Sequence, residues 1–272
     1  MVSNFNVSAS VVLYNSDAKK IEEIVSKFSP TISLFLIDNS PTNALSYLAD
    51  NNHHVTYIFN PTNPGFGSAH NLAINKSIML GSKFHFIVNP DVNFESNIID
   101  FMINVMDEDP SVGMMMPKIL NLDGTIQNLP KLLPNPFSII FRKLKKPRVI
   151  FNHFINNYEL RNISQDKVYN SPILSGCFTL LNLNAIKEVG MYDDKYFMYF
   201  EDWDLSRRMH EKYKTLYYPK VAVLHGYESG ANKSIKLFKI YINSAIHYFN
   251  KWGWFFDNDR KKINSATLAQ FE

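Results

Sequence analysis

The sequence predicts an α/β protein with a mostly parallel sheet flanked by helices. Strand-like apolar runs at Val7–Tyr14, Ile32–Ile37 and Val55–Phe59 alternate with helical spacings of apolar residues. Such alternation is typical of βαβ units, whose strands run parallel. The polar turns after the first two strands, Asn15–Asp17 and Asp38–Ser40, therefore lie at one edge of the sheet, where ligands of such folds bind.

The remaining elements are predicted from the same two periodicities. We expect helices where apolar residues recur every three or four positions, at 18–28, 44–49, 72–79, 98–106, 185–189, 201–213 and 234–254. We expect strands over the apolar runs 84–88, 112–116, 173–181 and 216–224. One large domain is predicted over 1–230, with a mobile basic and apolar flap at 130–167, followed by a C-terminal helical extension over 231–272.

Composition restricts the class of protein. The net charge of the 272 residues is only +3, which does not favour a nucleic-acid-binding protein. The single cysteine, Cys177, excludes an internal disulfide framework and fits a reducing compartment. We find neither a signal-peptide pattern nor an apolar run near the roughly 18–20 residues of a membrane-spanning helix. We therefore expect a cytoplasmic protein whose attachment to a membrane, if present, is peripheral.

An acidic stretch within Phe197–Arg208 is the strongest candidate for chemistry. Glu201, Asp202 and Asp204 stand among aromatic residues, directly before a helical pattern. Two carboxyls held together in an apolar wall resist joint ionisation, which tunes one of them toward a base near neutral pH. The alternative is that the acids only cap the helix, whose N-terminus stabilises negative charge.

Two loops at the predicted ligand edge carry weaker signals. In Asn63–Asn71, glycines on either side of Phe66 precede a helix, which lets backbone N–H groups approach a ligand, although a plain tight turn explains them equally well. In Asn89-Pro90-Asp91, a carboxylate follows a buried strand and could coordinate a hard cation. The alternative for this second loop is simple turn chemistry.

Two segments could contact a membrane. Between Pro130 and Lys167, the basic residues Arg142 to Arg148 interleave with apolar ones. This pattern is typical of a lid or of a segment that contacts anionic lipid headgroups. A solvated loop on the protein surface explains it equally well. The final helical region, Ser234–Trp254, is amphipathic and basic and ends in aromatic residues. Such a helix can lie on a membrane, but packing on the protein's own core is its more common use.

Taken in order, these motifs resemble the inverting glycosyltransferases of family 2, which have the GT-A fold. The resemblance spans roughly 7–229, and within that family it is most similar to the bacterial rhamnosyltransferase-like branch that builds O-antigen or related surface polysaccharide. The motifs that carry it are Leu36–Ser40, Asn63–Asn71, Val88–Asp91, Leu174–Cys177, Gly190–Asp193, Tyr199–Leu205 and His225. A similar order by chance is improbable.

The resemblance implies a role for each matching position. Asp202 stands where the catalytic base lies, with Glu201 beside it. Asp91 and His225 would bind Mg²⁺ or Mn²⁺, with Asn89 in place of the first aspartate of the usual Asp-x-Asp motif. Gly176, Cys177 and Trp203 would contact the acceptor. The residues that would contact the nucleotide-sugar donor are Tyr14, Asn15, Asp38, Asn39, Gly65, Phe66, Gly67, Asn89, Arg207 and Arg208.

The implied reaction moves a sugar, L-rhamnose from dTDP-L-rhamnose, onto a lipid-linked or polysaccharide acceptor. Inverting transfer needs one base for the acceptor hydroxyl and positive charge on the departing diphosphate. Two alternatives remain: the same fold with a UDP-sugar such as UDP-galactose or UDP-glucose, and a non-catalytic subunit that binds nucleotide sugars within a polysaccharide assembly complex. We expect no nucleic-acid partner, but an anionic membrane surface as a further contact at the inner face of the cytoplasmic membrane.

Overall fold

The computed structural model describes residues 6–50, 52–144, 148–226 and 234–272 of the chain. The basic side chains predicted to cluster between Arg142 and Arg148 lie outside what it describes, as does Lys233. The helices are Ala18–Lys27 (α1), Phe66–Met79 (α2), Asn97–Glu108 (α3), Pro136–Leu144 (α4), Arg148–Tyr158 (α5), Leu183–Val189 (α6), Glu201–His210 (α7), Ile235–Trp252 (α8) and Asn258–Leu268 (α9). The strands are Val7–Leu13 (β1), Ile32–Asp38 (β2), Val55–Phe59 (β3), Phe84–Val88 (β4), Val92–Asn93 (β5), Val112–Leu120 (β6), Tyr169–Asn170 (β7), Phe178–Asn182 (β8) and Lys214–His225 (β9).

Within the described residues these strands form one sheet, in the order β3-β2-β1-β4-β8-β6-β9-β5, with β7 paired to β9. β1 is parallel to β2 on one side and to β4 on the other, whereas β8 is antiparallel to both of its neighbours. The chain thus leaves β1 toward β3 and returns on the opposite side with β4. A crevice opens at such a reversal, beyond the carboxyl ends of β1 and β4. The predicted α/β class with a mostly parallel sheet is confirmed.

The strand predicted at 173–181 is shorter than expected, because it begins only at Phe178. The backbone before it bonds to side chains of α7 instead of a neighbouring strand. The Leu174 N–H donates to the Ser206 hydroxyl at 3.2 Å, and the Gly176 N–H donates to the Asp202 carboxylate at 3.2 Å. The segment 173–177 is therefore a loop that crosses the start of α7.

The described residues of 130–167 form α4 and α5, in a segment that the sequence predicts to be a mobile flap. Ile139, Ile155 and Tyr158 are buried. The Asn264 side chain on α9 accepts from the Leu133 N–H at 2.8 Å and donates to the Leu133 carbonyl at 3.0 Å. The N-terminal end of the segment is thus bonded to α9.

The C-terminal extension contains two helices where one was predicted. α8 ends at Gly253, whose φ of +95° is incompatible with a continuing helix, and α9 begins after Asp257, whose side chain accepts from the Arg260 N–H. α8 buries Tyr241 and Tyr248 in a cluster with residues just before α7. Among the described helices, none is both long and apolar enough to cross a membrane.

A buried polar network lies between β1, β4 and α2. The Ser10 hydroxyl contacts His70 Nδ1 at 2.7 Å and His85 Nε2 at 2.8 Å, and the Ser8 hydroxyl contacts His85 Nδ1 at 2.8 Å. Both rings are fully buried. Burial lowers the pKa of His85 to about 3 and the pKa of His70 well below its ordinary value. The folded protein therefore holds both imidazoles neutral.

This network predicts a loss of stability in mild acid. Below a pH of about 6.5 the unfolded chain binds protons on His70 and His85 that the folded chain does not, so the free energy of unfolding falls by about 1.4 kcal/mol per pH unit for each histidine. Urea unfolding between neutral pH and pH of about 5 measures this slope. His85→Gln should reduce this slope by about 1.4 kcal/mol per pH unit, because one fewer proton is bound on unfolding. His53→Gln, at an exposed position, should leave the slope unchanged. An unchanged slope in His85→Gln would contradict the assignment.

Candidate active site

The two residues before α7 adopt an unusual backbone conformation. Tyr199 and Phe200 have φ values of +70° and +67°, in the left-handed region that bulky side chains avoid at a cost of about 1–3 kcal/mol each. Aromatic packing holds them, because the Tyr241 ring of α8 lies 5.5 Å from the Tyr199 ring and 5.3 Å from the Phe200 ring. The sharp turn directs Glu201 and Asp202 into the protein at the first turn of α7.

Glu201 and Asp202 form a coupled pair of carboxyls. The Asp202 carboxylate accepts from the Gly176 N–H at 3.2 Å and from the Trp203 N–H at 2.9 Å. Burial raises the pKa of both carboxyls, and the charge of Asp202 raises that of Glu201 further. For Asp202 the two N–H groups and the ammonium of Lys131 partly offset the effect of burial. Glu201 is thus the partner that keeps a proton, and Asp202 is the one that ionises.

These contacts bear on the capping alternative for the acidic stretch. Asp202 does satisfy one N–H group of the first turn of α7, as a capping acid would. Its other oxygen is committed to the loop before β8, and Oε2 of Glu201 is buried without a hydrogen-bond partner among the described residues. Capping and proton transfer are therefore compatible uses of the same two acids.

Gly176 and Cys177 connect the acid pair to the loop after β4. Gly176 donates to Asp202, and the Cys177 carbonyl accepts from the Asn89 N–H at 2.8 Å. Burial raises the pKa of the Cys177 thiol to about 12, so this side chain is inert near neutral pH. The two residues contribute backbone groups that hold the acid pair and the Asn89–Asp91 turn side by side.

Asp91 and His225 meet because β5 pairs with the end of β9, in a register that places Val92 opposite His225. His225 Nε2 lies 3.3 Å from Asp91 Oδ1 and 3.4 Å from the side-chain nitrogen of Asn89. Burial raises the pKa of Asp91, but the hydrogen bond and charge of His225 outweigh it and leave that pKa lowered. An ionised carboxylate therefore stands at the crevice.

Gln127 determines which nitrogen of His225 carries the proton. The Gln127 amide nitrogen donates to the His225 carbonyl at 2.8 Å, which turns its oxygen toward His225 Nδ1 at 3.0 Å. This assignment places a proton on Nδ1, so the hydrogen bond from Nε2 to the Asp91 carboxylate forms only when the ring carries a second proton. A metal ion bound between Nε2 and the carboxylate would take the place of that proton.

The donor atoms at this point fit a hard divalent cation. Asn89 Oδ1 is buried and lacks a hydrogen-bond partner among the described residues, so it joins Asp91 and Nε2 of His225 as a possible ligand. A set of carboxylate, amide and imidazole suits Mn²⁺ or Mg²⁺ when ligand oxygens complete the shell. Within the described residues no group of three His, Cys, Asp or Glu side chains surrounds a common point.

The predicted nucleotide-binding residues lie at the ends of β1 and β2. Tyr14 is 56% exposed, and Asn15 has a φ of +48° and donates its N–H to the Ser40 hydroxyl at 2.8 Å. The Asp38 carboxylate is buried and accepts from the Tyr57 hydroxyl at 2.6 Å and from the Ser40 N–H at 2.9 Å. Asn39 is also buried, and the Asn60 side chain donates to it at 3.1 Å. Tyr14 and Asn15 are therefore the exposed members of this group, whereas Asp38 and Asn39 are buried.

The glycines at the start of α2 also have a structural cause. A side chain at Gly65 would overlap the Phe197 carbonyl, and one at Gly67 would come within 2.8 Å of the Tyr192 side chain. Gly65 permits close contact with the backbone of Phe197, which accepts a hydrogen bond of 2.9 Å from the Phe66 N–H. The Phe66 ring lies against the loop that bonds to Asp202, since it would be 3.3 Å from a Cβ on Gly176.

Arg207 and Arg208 are predicted to contact the donor, but the structure binds both inside the protein. Arg207 donates two hydrogen bonds to Asp257, at 2.8 and 3.0 Å. Arg208 donates to Asp204 at 2.9 Å and to backbone carbonyls near Gly190. Trp203, a predicted acceptor contact, packs on Phe200 with ring centroids 4.5 Å apart. The contacts described above link Asp202 to Asn89, Asp91 and His225 through Gly176 and Cys177.

The structure adds residues that sequence reasoning did not assign. Gln127 and Lys131 lie in a segment without a distinctive pattern, and no sequence signal identifies them. Tyr192 belongs to a motif of the resemblance, and its buried hydroxyl would lie 3.5 Å from a Cβ on Gly176 and has no hydrogen-bond partner among the described residues. A cavity of about 600 Å³ between the end of α5 and α9 contains none of the predicted site residues.

Comparison with solved structures defines the class of fold. The chain superposes on GalNAc-T7 with a TM-score of 0.62, 15% identity and coverage of 83% of this chain and 44% of that one. TarS of S. aureus gives a TM-score of 0.58 and 14% identity, with 98% of this chain and 42% of TarS covered. The mannosyltransferase PcManGT of Pyrobaculum calidifontis gives a TM-score of 0.56 and 14% identity, with 100% of this chain and 77% of PcManGT covered. The fold is the GT-A fold of glycosyltransferases.

Sequence comparison gives a more specific likeness. The chain is 26% identical to the N-acetylglucosaminyl-diphospho-decaprenol L-rhamnosyltransferase of Mycobacterium tuberculosis, in strains CDC 1551 and H37Rv, over 71% of this chain. The match spans 66% of the length of these relatives. No family model matches the chain. The predicted resemblance to a rhamnosyltransferase is confirmed as a likeness of sequence.

The close approach at Gly65 predicts a large effect of one methyl group. Gly65 and Gly124 both have positive φ, but a Cβ on Gly124 meets no atom within 4 Å. We expect Gly124→Ala to lower the free energy of unfolding by about 1 kcal/mol through backbone strain alone. Gly65→Ala should cost more than about 3 kcal/mol, because α2 must also separate from Phe197. Urea unfolding of both variants measures the difference, and equal losses would contradict the close contact.

Proposed function

We propose that this protein is an inverting sugar transferase that moves L-rhamnose from dTDP-L-rhamnose to a lipid-linked acceptor of a bacterial surface polysaccharide. One observation carries the proposal: Gly176 and Cys177 hold the Glu201–Asp202 pair beside the Asn89–Asp91 turn. A proton acceptor and a candidate cation site thus share one crevice. The likeness to a relative named as an L-rhamnosyltransferase of a diphospho-decaprenol acceptor supports the sugar and the acceptor class.

Asp202 is the proposed base. Its carboxylate accepts the proton of the acceptor hydroxyl while that oxygen attacks the anomeric carbon of the donor. The bond from this carbon to the diphosphate breaks on the opposite face, and the nucleoside diphosphate leaves with the electron pair. Glu201 stays protonated beside the base, and burial raises the pKa of the Asp202 carboxyl to about 6. One base suffices, because no covalent sugar–enzyme intermediate forms.

Asp91, His225 and Asn89 are the proposed ligands of Mg²⁺ or Mn²⁺. A cation bound there would supply positive charge to the departing diphosphate. Two structural neighbours were crystallised with Mn²⁺, one with UDP and one with GDP-Man. Because Arg207 and Arg208 are bound to protein groups, the proposal gives neither of them a contact with the diphosphate.

The proposed donor contacts are Tyr14 and Asn15 after β1, Asp38 and Asn39 after β2, and the Gly65–Gly67 turn. The proposed acceptor contacts are Gly176, Cys177 and Trp203 beside the base. We further propose that the protein works at the inner face of the cytoplasmic membrane, where a lipid-linked acceptor would be presented.

A donor panel tests the proposal. Purified protein is incubated with a polyprenyl-diphosphate sugar acceptor, Mg²⁺ or Mn²⁺, and in turn dTDP-L-rhamnose, UDP-glucose and UDP-galactose, and the released nucleotide is measured. We expect release with dTDP-L-rhamnose and inversion at the anomeric carbon. Turnover with a UDP-sugar alone would show that the donor is that UDP-sugar and not dTDP-L-rhamnose. The absence of both turnover and binding with every nucleotide sugar would refute the proposed transferase activity.

The two acids can be compared by replacing each one with its amide. Asp202→Asn removes the base and should lower kcat by about 10²–10⁴-fold, with donor affinity kept. Glu201→Gln replaces a carboxyl that is already protonated, so we expect a loss of less than about tenfold. Steady-state kinetics and calorimetric titration with the nucleoside diphosphate measure both effects. Equal losses in the two variants would remove the assignment of Asp202 as the base.

Gln127 provides a test of the cation site that does not need turnover. Gln127→Leu removes the hydrogen bond that fixes the protonated nitrogen and the orientation of the His225 ring. We therefore expect Mn²⁺ to bind about 10–100-fold more weakly. Asp91→Asn should weaken binding at least as much. Thr125→Val, in the same segment and bonded to Asp123 instead, is the control. Calorimetry or the Mn²⁺ resonance signal reports binding, and unchanged affinity in Gln127→Leu would show that His225 is not a ligand.

A further inference from the structure

α8 carries an apolar stripe that the described residues leave exposed. Ile235, Phe238, Ile242 and Ile246 recur every three or four residues and so share one side of the helix. Their exposed fractions are 78%, 43%, 36% and 42%. The adjacent side of α8 packs Tyr241 and Tyr248 beside the start of α7. The helix therefore has one face on the candidate site and a second apolar face directed to the surroundings.

The turn after α8 extends this surface with aromatic residues. Trp254, Phe255 and Phe256 are 39%, 57% and 96% exposed. Beside them on α4, the ring of Phe137, itself 54% exposed, lies 5.9 Å from the ring of Phe255. Ile140 adds a further half-exposed apolar side chain. We call the set of α8 stripe, turn and α4 residues the apolar face.

The aromatic turn is held in place by hydrogen bonds to buried side chains. Arg260 is buried and donates to the carbonyls of Trp254, Phe255 and Pro134 at 3.4, 3.0 and 3.3 Å. Asp257 closes the turn by accepting from the Arg260 N–H at 2.8 Å. Buried ionic groups thus hold the backbone of the turn that carries these exposed aromatic side chains, and an exposed apolar surface of this kind marks an interaction site.

The charges around the apolar face are mostly positive. α8 contains no acidic residue, and its exposed Lys236 and Lys239 lie along the stripe. On α9, Lys261 and Lys262 are exposed beyond the aromatic turn, opposed by Asp259. Apolar and aromatic residues bordered by lysines match the boundary between acyl chains and anionic headgroups, where lysine stems extend along the apolar layer and their ammonium groups meet phosphates.

We propose that the apolar face docks on an anionic membrane surface, with the Trp254–Phe256 turn inserted at the headgroup level. The α8 stripe lies flat on the same surface, and the adjacent side of α8 supports the residues that turn the chain into α7. Docking would therefore bring the crevice to the membrane, where an acceptor with a lipid anchor is held. This consequence for acceptor access rests on the proposed transferase function, whereas the docking itself does not.

The docking is tested with full-length protein and vesicles in the absence of any nucleotide sugar. Flotation compares vesicles of phosphatidylcholine alone with vesicles of phosphatidylcholine and phosphatidylglycerol, at low and high salt. We expect salt-sensitive binding to the anionic vesicles. Phe256→Ser should weaken it by about tenfold or more, because one buried phenyl ring is lost. Lys261→Glu/Lys262→Glu should weaken binding to anionic vesicles only.

Met79→Ser is the matched control, since Met79 is 85% exposed on α2 and outside the apolar face. Unchanged binding in Phe256→Ser, or equal losses in Phe256→Ser and Met79→Ser, would overturn the proposal. Self-association that Phe256→Ser abolishes, without vesicle binding by the wild type, would assign the face to a second copy and likewise overturn it.

Transfer assays separate this inference from the proposed function. With a water-soluble acceptor, Phe256→Ser should turn over like the wild type, and with an acceptor embedded in anionic vesicles it should be about tenfold slower. Vesicle binding without any transfer would refute only the proposed function. Transfer that is equally fast from vesicles in both proteins would refute only the docking.

Discussion

The pair of carboxyls at the start of α7 sets the requirements that the surrounding structure meets. Their environment raises the pKa of both acids, so the structure must determine which one ionises. Asp202 receives two backbone N–H groups and the field of Lys131, whereas Oε2 of Glu201 has no hydrogen-bond partner among the described residues. The left-handed Tyr199 and Phe200 and the aromatic contacts of α8 hold the turn that buries Glu201 and leaves Asp202 half-buried.

Much of the fold and part of the site could be predicted, because they depend on local patterns. The strands β1 to β4 follow from apolar runs with polar turns at their ends, and the acid pair follows from its aromatic surroundings. The loop before β8 was interpreted as strand, because nothing in the sequence shows that its N–H groups bond to Ser206 and Asp202. The periodicity of a sequence does not predict which distant residues a local motif will contact.

The same limit applies to charge and to glycine. Arg207 beside an acidic motif resembles a phosphate ligand, but its partner Asp257 lies fifty residues further along the chain. Gly65 resembles part of a ligand-binding loop, but the atoms that exclude a side chain there belong to Phe197. Gln127 reaches His225 from ninety-eight residues away. In each case the residue type is informative, while its partner is defined only by the tertiary fold.

The ion pair between Arg207 and Asp257 has a consequence for the order in which the protein is completed during synthesis. The guanidinium is 2% exposed, and Glu211 approaches it only to 3.8 Å from an exposed position. A chain that has emerged only as far as Phe256 would hold this cation without its bidentate partner, and an uncompensated buried charge costs about 3–5 kcal/mol. Chains fold from the N-terminus as they emerge from the ribosome. We infer that the sheet forms first and that the helix with the acid pair becomes stable only after the C-terminal helices have been made.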